Sequence, residues 1–269
     1  MRLALVVVLA ALLAAGCGSK KPIEVKSPAL ESAERLEQRG AAAYAKGDHV
    51  GAFKDFELAA AVYASLAMTD AQAHAELSLA RIDAEDGRAA RALERINQVT
   101  AWAEKGSSIG TSTLLLAHGR AAAVYMQQKN AAAADTSLTK AEGLCASACD
   151  AAAALSTMRA NWLFASGDLV AAKTKAASAL ALAATPSDKA SALRSLAQIG
   201  LAQNDLVNAT QNASDALKLD QALGASLRVI ADLDLLAQIH NKAGNAAKAA
   251  EFLNLRDAAS AARAHLGQK

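Results

Sequence analysis

Apolar residues recur every three or four positions along most of the chain, which is the spacing of an amphipathic helix. A clear example runs from Ser191 to Leu219, where two such segments flank the polar stretch from Gln203 to Asp205. The apolar positions of this example are Ala192, Leu193, Leu196, Ala197, Gly200 and Leu201, then Val207, Ala213, Ala216 and Leu217. This pattern predicts two helices joined by a tight turn, each burying one face against its neighbours.

Composition extends the helical prediction to the whole chain. Hydrophobic residues make up 53% of the 269 residues but aromatic residues only 3%, so the apolar content is mostly alanine, leucine and valine. Such a composition favours closely packed helices over a β-sandwich. Charged residues amount to 20% and the net charge is +2, which excludes an acidic disordered tail and argues against a nucleic-acid partner.

The N-terminal segment has the features of a secretion signal. Met1 and Arg2 precede an unbroken apolar run from Leu3 to Ala15, which is shorter than the ~20 residues that a transmembrane helix needs. The run and the Gly16-Cys17 pair after it resemble the lipobox of bacterial lipoproteins. The resemblance implies that residues 1–16 are a signal peptide, that the Cys17 thiol receives a diacylglycerol, and that the new amino group is acylated.

Lipidation of Cys17 would hold the mature protein on a membrane surface without spanning it. Residue 18 is glycine, whereas enteric members of the lipoprotein family that stay in the inner membrane carry aspartate there. The resemblance therefore implies attachment to the outer membrane, facing the periplasm. Residues 17–31 contain two prolines and three lysines without a helical period, and they are predicted to form a flexible tether.

Cys145 and Cys149 are the other two cysteines of the chain. In an oxidising periplasm, a pair with this spacing is most simply one disulfide at the end of a helix. Two free buried thiols, or a metal or redox site, are the alternatives.

A repeated pattern covers residues 32–267. Its first copy has small Gly40, Tyr44, a Gly47-Asp48 turn, then Ala52 and Phe56. Equivalent turns follow at Gly87, Lys129-Asn130, Gly167-Asp168, Asn204-Asp205 and Gly244-Asn245. These spacings resemble the tetratricopeptide repeat (TPR), in which small residues let two antiparallel helices approach closely. The resemblance implies an all-α fold, a right-handed α-solenoid of about six TPR-like hairpins.

The repeats are longer than in the family. Successive turns lie 37 to 42 residues apart, against a usual period of about 34. Longer helices and longer loops between repeats both explain the difference. The charged residues of the last helix are expected to solvate the open end of the array; they are Lys248, Glu251, Arg256, Asp257 and Arg263.

Sequence motifs for catalysis are absent. The five histidines lie in different predicted helices or turns, and the chain has no HExxH, Gly-rich phosphate loop or GxSxG sequence. We therefore expect a protein that is not an enzyme and that needs no cofactor or metal.

A binding groove is implied by the resemblance to TPR proteins, in which the first helix of each pair lines the concave face. The matching positions in this chain are Tyr44, Arg81, Met126, Gln127, Asn161, Phe164, Arg194, Gln198, Asp234, Gln238 and Asn241. Asn161, Gln198 and Gln238 share one repeat position and would form a row of amides suited to an extended peptide. Taken singly, each of these polar residues is also explained by solvation of a helix surface.

These features predict a non-catalytic, lipid-anchored scaffold that binds an envelope protein or an extended peptide segment during assembly of an envelope complex. The alternative function is an accessory regulator that recruits a peptidoglycan enzyme.

Overall fold

The computed structural model describes residues 27–145 and 149–266 of the chain. Within these ranges the chain forms twelve α-helices and no strand. The helices are α1 (Pro28–Ala45), α2 (His49–Ser65), α3 (Thr69–Glu85), α4 (Ala89–Glu104), α5 (Thr111–Gln127), α6 (Ala131–Leu144), α7 (Ala152–Ala165), α8 (Leu169–Leu182), α9 (Pro186–Ala202), α10 (Leu206–Ala222), α11 (Ser226–Lys242) and α12 (Ala246–Leu266).

Consecutive helices pair into six hairpins, from α1–α2 to α11–α12. The first helix of each hairpin from α3 to α9 also contacts the first helix of the next hairpin. These first helices therefore form one continuous layer, and the second helices form the other. The predicted all-α solenoid of six TPR-like hairpins is confirmed.

The six predicted turns all reverse the chain through a residue in the left-handed region. Glycine occupies this position in four hairpins, Lys129 has φ 57°, and Asn204 has φ 62°. In four hairpins the next residue caps the following helix: Asp48, Asn130, Asp168 and Asn245 each accept a hydrogen bond from a backbone N–H three residues on. Such caps fix where the second helix begins.

Longer helices and longer connections both lengthen the repeats, in different parts of the chain. The repeats at the start of the array consist of helices of 16 to 18 residues with three-residue connections, as at Leu66 to Met68 between α2 and α3. Longer connections contribute before α5, which begins at Thr111 after α4 ends at Glu104, and before α7, which begins at Ala152 after α6 ends at Leu144.

The two helices of each hairpin pack against each other through small residues. The position seven residues before each turn residue is glycine or alanine, and the position five residues after it is alanine. All twelve residues are buried: Gly40, Ala80, Ala122, Ala160, Ala197 and Ala237 on the first helices, and Ala52, Ala92, Ala134, Ala172, Ala209 and Ala249 on the second. Because neither helix carries a bulky group there, their backbones approach closely.

Arginines tie the layers together through buried carboxylates. Arg39 Nε donates to Asp55 at 2.6 Å between α1 and α2, and Arg95 Nε donates to Asp83 at 3.0 Å between α4 and α3. Arg194 of α9 bridges two fully buried carboxylates on α10 and α11. Each of these buried carboxylates therefore has a guanidinium partner, as burial of charge requires.

The first helix begins earlier than the sequence predicts. The predicted tether extends to residue 31, but α1 begins at Pro28 because the Ser27 side chain accepts a hydrogen bond from Leu30 N and proline occupies the first turn. The predicted signal peptide and Cys17 lie outside the described residues. In the described part of the chain, no helix combines the length and apolar character required to cross a membrane.

The sulfur atoms of Cys145 and Cys149 are joined in a disulfide, with Cα atoms 5.3 Å apart. Cys145 caps the C-terminus of α6 and packs with Ala141 and Leu155. The bond therefore lies at a helix end, next to the connection from the third hairpin to the fourth.

Candidate functional site

A groove runs between α7 and α9 on the layer of first helices, which is the inner layer, and we call it the amide groove. It encloses a cavity of about 320 Å³. The side chains that line it are mostly small or polar: Ala154, Thr157, Met158, Asn161, Asp188, Ser191, Arg194, Ser195 and Gln198.

Two of the three predicted amides meet in this groove. The Ser195 hydroxyl lies 2.7 Å from Asn161 Oδ1 and 3.2 Å from Ser191 O. The shorter hydrogen bond, to Asn161, orients the amide, and its NH₂ group has no acceptor in the described part of the chain. Gln198 lies one helical turn after Arg194 and is half-buried. Among the described residues, its side chain has no hydrogen-bond partner. The groove therefore offers unused donors and acceptors to a ligand backbone.

Arg194 lines the groove, but its charge is neutralised from the other side. Its Nε donates to Asp232 Oδ1 at 2.5 Å, and its Nη2 donates to Asp220. Arg228 pairs with the same Asp220 at 3.0 Å. Burial raises the pKa of Asp232 to about 6, although Arg194 opposes the shift. Arg194 therefore holds three helices together and contributes little net charge to the groove.

Phe164 is predicted to face the groove; in the structure it is half-buried and packs against a core cluster. It packs against buried Ala160, Ala172 and Ile199.

The third predicted amide, Gln238, does not join the row. It is exposed on α11 and donates to Asp234 of its own helix at 2.7 Å, while Asp234 also pairs with Arg256 of α12. Asn241 is exposed at the C-terminal end of the same helix. Equivalent repeat positions therefore give two amides in one groove and a third outside it.

A second cavity of about 320 Å³ lies where the first two hairpins meet the last two, and we call it the closure chamber. The side chains of Tyr44, Arg81, Glu85, Ser187, Arg228 and Arg263 line it, together with the segment from Leu223 to Leu227 and the turn at Gly47.

Arg81 is fixed on one wall of the chamber. Its guanidinium lies 4.2 Å from the centre of the Tyr44 ring, a cation–π contact, and its Nε lies 3.1 Å from Glu85. The Tyr44 hydroxyl donates to Glu85 as well, and burial raises the pKa of Tyr44. Arg81 and Glu85 also line a smaller cavity of about 160 Å³ with Arg120 and the predicted groove residue Gln127.

Arg263 closes the chamber from the end of the chain. Its Nη2 lies 3.3 Å from Nε2 of His49, whose Nδ1 lies 2.6 Å from Asp86. Since a guanidinium only donates, Nε2 is the acceptor and Nδ1–H donates to Asp86. The expectation that Arg263 solvates an open end is therefore wrong, because this residue contacts the first hairpin.

Sequence reasoning missed Arg228 and Arg263, which line the closure chamber, and Arg120, which lines the smaller cavity beside it. The sequence spacing could have placed Arg120 beside the predicted groove, since it precedes Gln127 by seven residues and so lies on the same helix face. No sequence pattern could have placed Arg263, because its contact with His49 spans 214 residues. In the described residues, no group of three or more histidine, cysteine or acidic side chains could hold a metal ion.

Comparison with known proteins identifies the fold of this chain. No family model matches the chain, and no curated protein matches it. A Rap protein crystallised with Competence and Sporulation Factor is 12% identical with a TM-score of 0.64, over 91% of this chain and 79% of that one. The chain has a TPR-like fold.

Two further structures agree with that assignment. BtubC (BKLC) from P. vanneervenii is 16% identical with a TM-score of 0.57, over 88% of this chain and 92% of that one. TTC0263, a thermophilic TPR protein from Thermus thermophilus, is 22% identical with a TM-score of 0.55, over 75% of this chain and 98% of that one. At these identities the likeness concerns the fold alone.

Proposed function

We propose that the chain is a non-catalytic scaffold that binds an extended segment of an envelope protein in the amide groove. The observation that carries this proposal is the pairing of Asn161 with Ser195 beside the unpaired amide of Gln198. An extended backbone presents alternating donors and acceptors, and pre-oriented amides match them without the entropy cost of ordering flexible side chains.

The fold supports this reading. A solenoid whose first helices form a continuous inner layer presents a long concave surface, which repeat proteins commonly use for binding. A Rap protein with a similar fold was crystallised in complex with a factor. The amide groove is a part of that surface in this chain where polar groups remain unpaired.

Crosslinking tests the groove directly. A photoreactive residue replaces Gln198 in the amide groove or, as a control, exposed Gln211 on α10 in the outer layer. We expect a defined adduct from position 198, none from position 211, and at least a tenfold loss at 198 when Asn161→Arg blocks the groove. Equal adducts at both positions, or no effect of Asn161→Arg in a variant with unchanged circular dichroism, would refute the groove.

The identity of the captured protein separates the two functions that the sequence suggests. A structural component of an envelope complex supports the scaffold, and a peptidoglycan enzyme supports the accessory regulator.

The proposal also includes lipid attachment at Cys17 and a position on the periplasmic face of the outer membrane. Its support is the lipobox-like sequence from Leu13 to Cys17. Cys17→Ala should leave an unprocessed precursor without lipid label. A Cys145→Ala, Cys149→Ala double variant is the control, since it removes both cysteines outside the signal and should be processed normally. Normal processing of Cys17→Ala would refute lipidation.

A further inference from the structure

We propose that the closure chamber binds an oxyanion, either a carboxylate or a phosphate group, between the second hairpin and the last. This site is separate from the amide groove and does not depend on the proposed scaffold function.

The chamber walls contain more positive than negative charge. Arg81 is matched by Glu85, and Arg228 is matched by Asp220. Asp220 is shared with Arg194, but Arg194 also has Asp232, so that cluster is balanced. In the described residues, Arg263 has no carboxylate partner, which leaves one uncompensated positive charge on the chamber wall. Arg120, which lines the neighbouring smaller cavity, has no carboxylate partner in the described residues either.

The unused donors of these two arginines are buried. The Nε atoms of Arg120 and Arg263 are both inaccessible to solvent and have no hydrogen-bond acceptor. Burial and the positive charge of Arg81 lower the pKa of Arg120 to about 10. A buried guanidinium donor without an acceptor is costly, and an anion in the chamber would remove that cost for Arg263 and screen the charge of Arg120.

The backbone adds donors on the opposite wall. The chamber contains the N-terminus of α11, a 17-residue helix whose N-cap residue is Ala225 and therefore offers no capping side chain. Gly224, with φ 65°, turns the chain into this helix. Two of its first N–H groups are already used, since Ser226 N donates to Gly224 O and Arg228 N donates to Ala225 O. The N–H of Leu227 and the helix macrodipole remain to attract an anion, and this end of the helix lines the same cavity as Arg81 and Arg263.

The size of the chamber suits a small group. A volume of about 320 Å³ is at the lower end of small-ligand cavities, enough for a phosphate ion or the end of an acidic side chain. Since its cationic groups come from both α3 and α12, a bound oxyanion would also hold the two ends of the solenoid together.

The test uses the full chain in detergent at fixed ionic strength, so that general screening is constant. One arm titrates inorganic phosphate against chloride, and a second compares a capped glutamate tripeptide with its glutamine counterpart. Binding is followed by calorimetry and by hydrogen exchange of the last turns of α12. We expect saturable binding of phosphate, of the glutamate peptide, or of both, with slower exchange in α12.

Two variants keep the test specific. Arg263→Gln should weaken binding at least about tenfold, because it removes charge-assisted hydrogen bonds. Arg35→Gln, on the exposed face of α1, should bind like the unmodified chain. A response to phosphate alone identifies a phosphate site, and a response to the glutamate peptide alone identifies an acidic peptide side chain. Absence of binding in both arms, equal loss in the two variants, or no slowing of exchange in α12 would overturn the proposal.

Discussion

Arg263 of α12 contacts the ring of His49 at the start of α2, so the two ends of the solenoid meet. The contact passes over the first turn, where a Cβ atom added to Gly47 would lie 3.0 Å from the Nε atom of Arg263. The curvature accumulated over six hairpins therefore brings the last helix to the first hairpin, and it creates the closure chamber.

Gly47 should be more sensitive to substitution than an equivalent turn glycine. Gly47 has φ 84° and Gly87 has φ 79°, but nothing lies within 4 Å of a Cβ added at Gly87. Gly87→Ala should cost about 1 kcal/mol of unfolding free energy from left-handed strain. Gly47→Ala should cost about 0.5 kcal/mol more, because it displaces Arg263. Urea unfolding measures both, and the excess should vanish in an Arg263→Ala background; an excess that persists there would contradict the closure contact.

Two helical glycines, Gly143 and Gly200, should respond differently to alanine. Gly143 in α6 is exposed and has no neighbour within 4 Å of an added Cβ, whereas a Cβ at Gly200 would lie 3.2 Å from the Cβ of Ala209. Gly143→Ala should stabilise the chain by about 0.5 kcal/mol through helix propensity. In Gly200→Ala, crowding within the fifth hairpin should offset the gain in helix propensity, so this variant should not be stabilised. Thermal unfolding compares them, and equal stabilisation would show that the hairpin packs more loosely than described.

Two buried carboxylates should give opposite pH dependences. Burial raises the pKa of Asp232 to about 6, against a reference value of 3.8, so the folded chain binds this proton more tightly. Stability from Asp232 therefore increases as the pH falls from about 6 to 4. The hydrogen bond from Arg39 lowers the pKa of Asp55, so its contribution is present at neutral pH and is lost as the pH falls below about 4.

Asparagine variants measure this difference. Asp232→Asn should lower the free energy of unfolding, relative to the unmodified chain, by about 1 kcal/mol more at pH 5 than at pH 7. Asp55→Asn should lower the free energy of unfolding by about 1 kcal/mol at pH 7. The loss should be the same at pH 5 and smaller below about pH 4. Urea unfolding across this range gives both values, and a pH-independent effect of Asp232→Asn would contradict the raised pKa.

The Cys145–Cys149 disulfide should contribute modestly to stability. It closes a short loop, and the loop-entropy model gives about 2 kcal/mol for such a length. Intact mass under non-reducing conditions should be two hydrogens below the free-thiol mass, and the double Cys145→Ser, Cys149→Ser variant should unfold at a lower urea concentration. An unchanged mass on reduction would show free thiols instead.

Much of the fold could be predicted because its determinants are local. The turns at Gly47, Lys129 and Gly244 combine a left-handed residue with a helix cap, and both are set by a few neighbouring residues. Small residues at fixed distances from each turn then specify which faces of the two helices pack. The repeated pattern and the hairpins follow from these signals, even at Lys129, where glycine is missing.

The functional surface was less predictable because repeat position does not fix a side chain's partners. Asn161, Gln198 and Gln238 share a repeat position, yet Gln238 pairs with Asp234 of its own helix. Phe164 likewise packs against a core cluster. The sequence alone determined the helices, the turns and the small residues that join them, since these depend on contacts within one hairpin. Only the tertiary structure decided that Arg263 meets His49, because that contact depends on the small rotations between hairpins, summed over the whole solenoid.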